Sequence, residues 1–491
     1  MSGAAAVTAS AFAGALLAVV LALALSTLNR SGKSSTIVLA GIAVHSLAQT
    51  VLMCLKLTAD PERKLASIEY WMMGSLNGVS VHSIGGNLIL CVLCMGVLFL
   101  LHRQIILLSA EEGEARMLGV QVAQLRLLVL MVATLSVSSV VSLTGLISFV
   151  GLLAPHGAKS NGHYVAGWAA GRDFALRSSY SGAVGGVDRA SGQHLHQCSG
   201  SAVSDFSDCA GEAERVSFLS VEKISAGYGG HPILADVSFQ LEQGCMMGIL
   251  GANGCGKTTL LKTICGILPH KGTCLLEQTV LEQLSARRMA RLVGYIPQRS
   301  GISIDISVLD VVLMGFNPRL GLLERPGRKM QDLAVQALEQ VGLGGREQSN
   351  YLCLSEGQKQ LCILARTLVS GSRLLLLDEP ESALDFRYRH RMFNLLKAWV
   401  AQEKRTVVVT LHDPSLALHF CDRLLLLSQG NVLGILEPQK DSLERMEQLL
   451  CQVYGKVSLH RCQNHQGKAR LVMLSEEEED ESGNENHLFG R

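Results

Sequence analysis

The chain is short of charge. Asp, Glu, Lys and Arg make up 17% of its 491 residues and sum to a formal +1. No Lys/Arg-rich tract breaks that balance, so no nucleic-acid partner is expected. No secretory leader is expected: the first residues show neither a charged start nor a small-residue cleavage site, and their apolar run is read as a span. Cysteine occurs fourteen times but is scattered. Cys91 and Cys94 form a CxxC inside LILCVLCMGVLFLL, a run too apolar and too poor in other ligands to hold zinc. Cys245, Cys255, Cys265, Cys353 and Cys362 fall in a part read as cytosolic, where reduced thiols are the default. Residues 158–214 lack any apolar run.

Apolar residues, in contrast, make up 48%, and the mean hydropathy is +0.28. The length suggests about three domains. A helix that crosses a bilayer needs about 20 mostly apolar residues, because it must satisfy its own backbone across ~30 Å of hydrocarbon. Stretches 8–28, 36–57, 86–102 and 127–153 meet that requirement. The loop NRSGKSS carries Arg30 and Lys33 without an acid, and HRQIILLSAEEGEARMLGVQVAQLR carries Arg103, Arg116 and Arg126. The positive-inside rule places both loops in the cytoplasm, although Glu111, Glu112 and Glu114 weaken the second signal. His45 and His82 lie in or beside these spans. They read either as functional intramembrane groups or as neutral histidines bonded to a neighbouring helix.

The blocks TIVLAGIAVHSL, EYWMMGSLNGVS, EARMLGVQVAQLRLL and TGLISFVGLLAPH occur in the order seen in FecCD-type permeases. These are the membrane subunits of bacterial iron-siderophore, haem and vitamin B12 importers, and the chain resembles the second half of one without its end. The family usually has about ten spans, against four here. The resemblance implies that Ala115–Val120 is the cytoplasmic coupling helix that docks on an ATPase.

From about residue 217 short apolar strands alternate with helical segments, as in an α/β protein. MMGIL runs into GANGCGKTTLLKTICGIL: a strand, then G-x-x-x-x-G-K-[ST] from Gly251 to Thr258, then a helix. Such a loop wraps phosphates with backbone N–H groups from Gly251, Asn253, Gly254, Gly256 and Thr259. Lys257 reaches the β- and γ-phosphates, and Thr258 offers its hydroxyl to Mg²⁺. RLLLLDEPESALD reads as a buried strand that ends at Asp378, a Mg²⁺ ligand through water. Glu379 beside it is placed to polarise an attacking water.

Between these lies YLCLSEGQKQLCILARTL, and here the chain resembles the ATP-binding-cassette (ABC) ATPases over roughly 217–456. LSEGQ is similar to that family's signature, usually LSGGQ. The resemblance implies that Ser355, Gly357 and Gln358 complete the ATP site of an opposite cassette. It implies further roles for Tyr228 (adenine stacking), Gln298 (Mg²⁺ sensing and contact with the coupling helix), Asp385 (dimer contact) and His412 (the γ-phosphate switch). Glu356 departs from the usual Gly and is expected to face solvent, where it suits a helix N-terminus. VLDVVLMGFNPRLGLL and HDPSLALHFCDRLLLLSQGNVL further resemble cassettes that serve siderophore and B12 importers.

The expected fold is therefore a transmembrane helical bundle followed by an α/β P-loop NTPase domain. The expected division is 1–157 partial permease, 158–214 a disordered linker or an out-of-frame segment, 215–456 the cassette, and 457–491 an extension with an acidic tail. ATP and Mg²⁺ are the implied cofactors. A second cassette in a homodimer, a permease partner or second copy, and a substrate-binding protein outside the membrane are the implied partners. The resemblance implies a multi-pass protein of the bacterial inner membrane with its ATPase in the cytoplasm. The expected activity is ATP-driven import of an iron chelate, haem or cobalamin; the alternative is an active cassette on a non-transporting membrane stub.

Overall fold

The computed structural model describes residues 2–28, 34–58, several positions from 60 to 72, 81–145, 217–463, 467 and 469–476. The segment 158–214, most of the loop at 58–84 and the acidic tail therefore lie outside the described residues. Helices occupy all four apolar stretches, at Ser2–Leu28, Ser34–Thr58, Val81–Leu100 and Val122–Thr144. Residues 146–153 of the fourth expected span lie outside the description. Leu39–Thr58 and Val122–Ser142 are long and apolar enough to cross a membrane, while Ser10–Leu25 and Gly85–Leu100 are shorter apolar helical runs among the described residues. Their apolar side chains point outwards: Leu39, Met53, Ile89, Val92 and Val137 are all more than half exposed. Water would penalise that surface, whereas hydrocarbon accommodates it. His45 is exposed on its helix, and the side chain of His82 is not described.

Contacts divide the chain into two units. One comprises Gln49–Asn87 and Val140–Arg215; its described part is helix ends, where Asn87 Nδ2 donates to Ser142 Oγ at 3.2 Å. The other comprises Met1–Ala48, Leu88–Ser139 and Val216–Arg491. It holds two short helices, His102–Leu107 and Glu112–Met117, and the α/β body.

Among the described residues that body has three sheets. Strands β1 (Leu219–Tyr228), β2 (His231–Leu241), β4 (His270–Leu276) and β5 (Thr279–Val280) form an antiparallel sheet in the order β2-β1-β4-β5. The central sheet runs β10-β9-β3-β8-β7-β6, with β3 at Met246–Leu250, β6 at Val293–Ile296, β7 at Leu374–Asp378 and β8 at Thr406–Thr410. β9 (Arg423–Ser428) pairs in parallel with β3, and β10 (Asn431–Leu436) closes the edge antiparallel. Every residue of β3, β7 and β8 is buried, as expected for parallel strands covered on both faces. The two-residue period sends Leu375, Leu377, Val407 and Val409 into one core with helices Val308–Leu313, Arg328–Val341 and Glu356–Ser370. Leu374, Leu376 and Val408 face the other core, shared with β1, β2 and β4.

Beyond the expected cassette end, β11 (Val457–Gln463) and β12 (Ala469–Ser475) form a hairpin. It packs on helix Pro414–Phe420, where Ser415 Oγ accepts from the Met473 amide at 3.2 Å. No local pattern predicts an element here, although VSLHRCQ and ARLVMLS are strand-length runs separated by the polar residues 464–468.

Candidate active site

The central sheet brings its carboxyl ends together, the position at which parallel α/β sheets bind ligands. The loop 251–256 leaves β3, Asp378 ends β7 and Glu379 follows it, and His412 lies two residues past β8. The loop turns through Gly254 (φ +80°) and Gly256 (φ +108°), a region that side chains disfavour. A Cβ on Gly256 would lie 2.7 Å from Leu234 Cδ2. Asn253 and Gly254 are exposed at the loop tip, whereas Thr259 is buried behind it. Helix Lys257–Ile264 starts at the loop, so its free N–H groups face the same space. Lys257 is buried, and its Nζ donates to Gly251 O at 2.7 Å and to Ala252 O at 3.3 Å. A phosphate would replace those carbonyls as its partner.

Asp378 is nearly inaccessible, and its Oδ1 accepts from Thr258 Oγ1 and from Thr410 Oγ1, each at 2.9 Å. Burial raises its carboxyl above the usual range, against the pull of those two hydroxyls. Glu379 has φ +46° and donates its N–H to Thr410 Oγ1 at 2.9 Å. Its Oε2 accepts from Gln298 Nε2 at 2.6 Å, and its Oε1 lies 2.6 Å from His412 Nε2. The structure thus gathers Lys257, Thr258, Gln298, Asp378, Glu379 and His412. Thr258, Asp378 and Gln298 offer hard oxygen donors, the set that suits Mg²⁺. They open onto a cleft of about 230 Å³, lined on its other side by Glu111, Gly113 and Glu114.

Tyr228 ends β1 and is half-exposed, as an aromatic awaiting a planar ligand would be. Ser355, Gly357, Gln358 and Asp385 stand apart from the cluster. Ser355 and Gln358 form a reciprocal capping box on helix Glu356–Ser370, and Asp385 caps helix Phe386–Glu403 through the Tyr388 amide. Glu356 is 70% exposed and paired with Lys359 Nζ at 2.7 Å, so it does face solvent. The twelve described cysteines are free thiols, and burial pushes those of Cys274 and Cys362 up to about 12.

Two residues escaped the sequence reading. Thr410 bridges Asp378 and Glu379 from the neighbouring strand. Glu381 is buried, accepts the His412 amide at 3.0 Å and leaves Oε2 without a hydrogen-bond partner. Burial holds its carboxyl above the usual range. The register of β7 with β8 sets Thr410 beside Asp378, and the His412 amide that it accepts marks Glu381.

Residues 234–382 match the ABC transporter family, and residues 2–167 match the FecCD transport family. A hemin import ATP-binding protein of Bordetella pertussis is 38% identical over 234 residues, 46% of this chain and 88% of its own length. The chain belongs to the ABC transporter family. Its cassette is an ATPase of that family, joined in one polypeptide to a FecCD-like membrane region. A manganese transport system ATP-binding protein of Bacillus subtilis is 35% identical, covering 43% of this chain and 82% of the relative. A solved nucleotide-free cassette from an ABC transporter aligns with 48% of this chain and 97% of its own, at 22% identity and a TM-score of 0.43.

Proposed function

We propose that this chain uses Mg²⁺ and ATP to drive import of an iron chelate, haem or a cobalamin across a bacterial inner membrane. The observation that carries the ATPase chemistry is the convergence of Lys257, Thr258, Asp378, Glu379, Gln298 and His412 at the carboxyl ends of the central strands. Lys257 would exchange its loop carbonyls for the β- and γ-phosphates, and Thr258, Asp378 and Gln298 would hold Mg²⁺, which would supply charge neutralisation at those phosphates. Glu379 orients the attacking water, and His412 holds Glu379 and contacts the γ-phosphate. Tyr228 stacks on adenine. Ser355, Gly357, Gln358 and Asp385 serve the site of a second cassette.

The cargo class is supported by the FecCD match and by the relatives named for hemin import. The cassette alone does not narrow it, since relatives named for manganese and zinc transport match it almost as well. A homodimer supplies two cassettes and two membrane regions, and a binding protein outside delivers the cargo. We divide the chain at 1–157, 158–214, 215–456 and 457–491. The segment 158–214 is a linker or an out-of-frame stretch; the FecCD match runs to residue 167, and resequencing the gene decides between them.

One observation favours a second reading. Four apolar helices among the described residues, against the family's usual ten or so, leave room for a cassette that hydrolyses ATP on a membrane stub. Purified chain in lipid vesicles tests both. With a matching substrate-binding protein supplied outside, ATP-dependent uptake of haem, a ferric siderophore or cobalamin supports import, and hydrolysis without uptake supports the stub. Lys257→Ala and Glu379→Gln abolish turnover in either case, and hydrolysis that survives them refutes the site.

A further inference from the structure

Glu114 is a buried charge that the chemistry above does not use. It lies in helix Glu112–Met117 and is 3% exposed. Its Oε1 accepts from Arg366 Nη1 at 2.6 Å and from Ser300 Oγ at 3.3 Å, and its Oε2 accepts the Gly301 amide at 3.1 Å. Arg366 is equally buried, on helix Glu356–Ser370, whose N-terminus bears the signature residues. Ser300 and Gly301 follow Gln298, which ends on Glu379. One carboxylate therefore touches both the segment that reaches the catalytic glutamate and the helix that serves the opposite ATP site.

The surrounding contacts do not replace it. Ala115, Leu118 and Val120 join the core below, but apolar contact is non-directional and tolerates sliding. Asn317 donates to Leu118 O at 2.7 Å and accepts from Gln104 Nε2 at 3.2 Å, and Arg103 Nη1 donates to Glu324 O at 2.7 Å, but none of these bonds ends on the Gln298 segment or on helix Glu356–Ser370. A carboxylate and a guanidinium this deeply buried are each costly alone, so each requires the other in place.

We infer that Glu114 is a positioning residue: paired with Arg366, it locks the coupling segment in register and makes the Gln298 segment and the signature helix move with it. This rests on reading Ala115–Val120 as the coupling element.

The full chain in lipid nanodiscs tests it. A Cβ at Gly113 lies 3.2 Å from Ile267 Cγ2, so a Gly113→Cys/Ile267→Cys pair reports docking by its rate of disulfide formation, read as the linked peptide by mass spectrometry. In that background Glu114→Gln should slow cross-linking at least about tenfold and lower kcat with KM for ATP unchanged. Glu114→Asp should restore part of both. Glu112→Gln, whose exposed carboxylate pairs only with Arg116 on its own helix at 2.8 Å, should change neither. Cross-linking at the parental rate in Glu114→Gln, or an equal loss in Glu112→Gln, overturns the inference. If Glu114→Gln does not fold, Glu114→Asp decides: slowed cross-linking supports the lock and a parental rate overturns it. Hydrolysis that Lys257→Ala still abolishes leaves the proposed ATPase standing even when the cross-linking test fails.

Discussion

Thr410→Val removes one hydroxyl and almost no volume. That hydroxyl, wholly buried, accepts the Glu379 amide at 2.9 Å and donates to Asp378 Oδ1 at 2.9 Å. Valine leaves the amide unsatisfied, at about 1–3 kcal/mol, and removes a hydrogen bond to a carboxylate worth about 1.5–3 kcal/mol. The two losses share one relaxation, so we take a net destabilisation of about 2–4 kcal/mol. The cassette should stay folded but melt about 5–10 °C lower. Catalysis should suffer separately. Glu379 sits at φ +46°, a conformation that costs of order 1 kcal/mol and persists only while its surroundings hold it. Freed of its amide contact, the carboxylate spends less time on the attacking water, and kcat should fall about 10–100-fold with KM for ATP little changed. The assay is steady-state hydrolysis by the full chain in nanodiscs, with Mg²⁺ titrated. The control is Thr406→Val on the opposite end of β8, where the hydroxyl accepts only the Gly244 amide at 3.2 Å. It should lower the melting temperature without touching kcat. A Thr410→Val protein with parental kcat, or a Thr406→Val protein that loses as much kcat, refutes the reasoning.

Three further outcomes follow from single contacts. Burial holds the Glu381 carboxyl above its usual value, so the fold binds this proton more tightly than the unfolded chain does. Stability from this group is therefore full below the usual carboxylate pKa and declines as pH rises through the raised one. Glu381→Gln, which keeps an acceptor for the His412 amide, should flatten that decline in thermal unfolding across acid to neutral pH, and an unchanged slope would falsify the burial argument. Tyr228→Ala should raise KM for ATP about three- to tenfold with kcat intact, and equal KM values would remove the stacking role. Gly256→Ala, forced to φ +108° with its Cβ against Leu234, should lose at least about 2 kcal/mol of stability and its nucleotide affinity, which calorimetry with ATP reads directly.

What was legible in the sequence follows the range of the interaction that each residue makes. Gly251 to Thr258 are contiguous, as a single loop that is to wrap a triphosphate must be, and so the spacing alone pointed to the candidate site. LLLLD was legible because a strand buried on both faces has no polar position to interrupt it. The N-terminal helices showed themselves for a related reason, since lipid removes the polar face that a soluble helix would need. The residues that escaped depend on pairing across the chain. Thr410 matters because β8 lies in register with β7, a relation that no local pattern encodes. The β11–β12 hairpin went unseen because only Val457 and Leu459 of β11 are buried, and the four residues that follow are exposed without alternation.

Glu114 carries this furthest. By position it is one acid among three in a loop, and counting charges treats it as a dilution of the basic signal that orients the membrane helices. Its neighbours Glu111 and Glu112 behave as that count assumes and remain exposed. Glu114 differs only because Arg366, 252 residues away, needs an anion in a place that water does not reach. A charge statistic averages over the three, whereas the cost of a buried guanidinium falls on one of them. The interface between a membrane helix and its ATPase is thus where composition says least, because the residue that holds it in register is the one whose environment the fold has reversed.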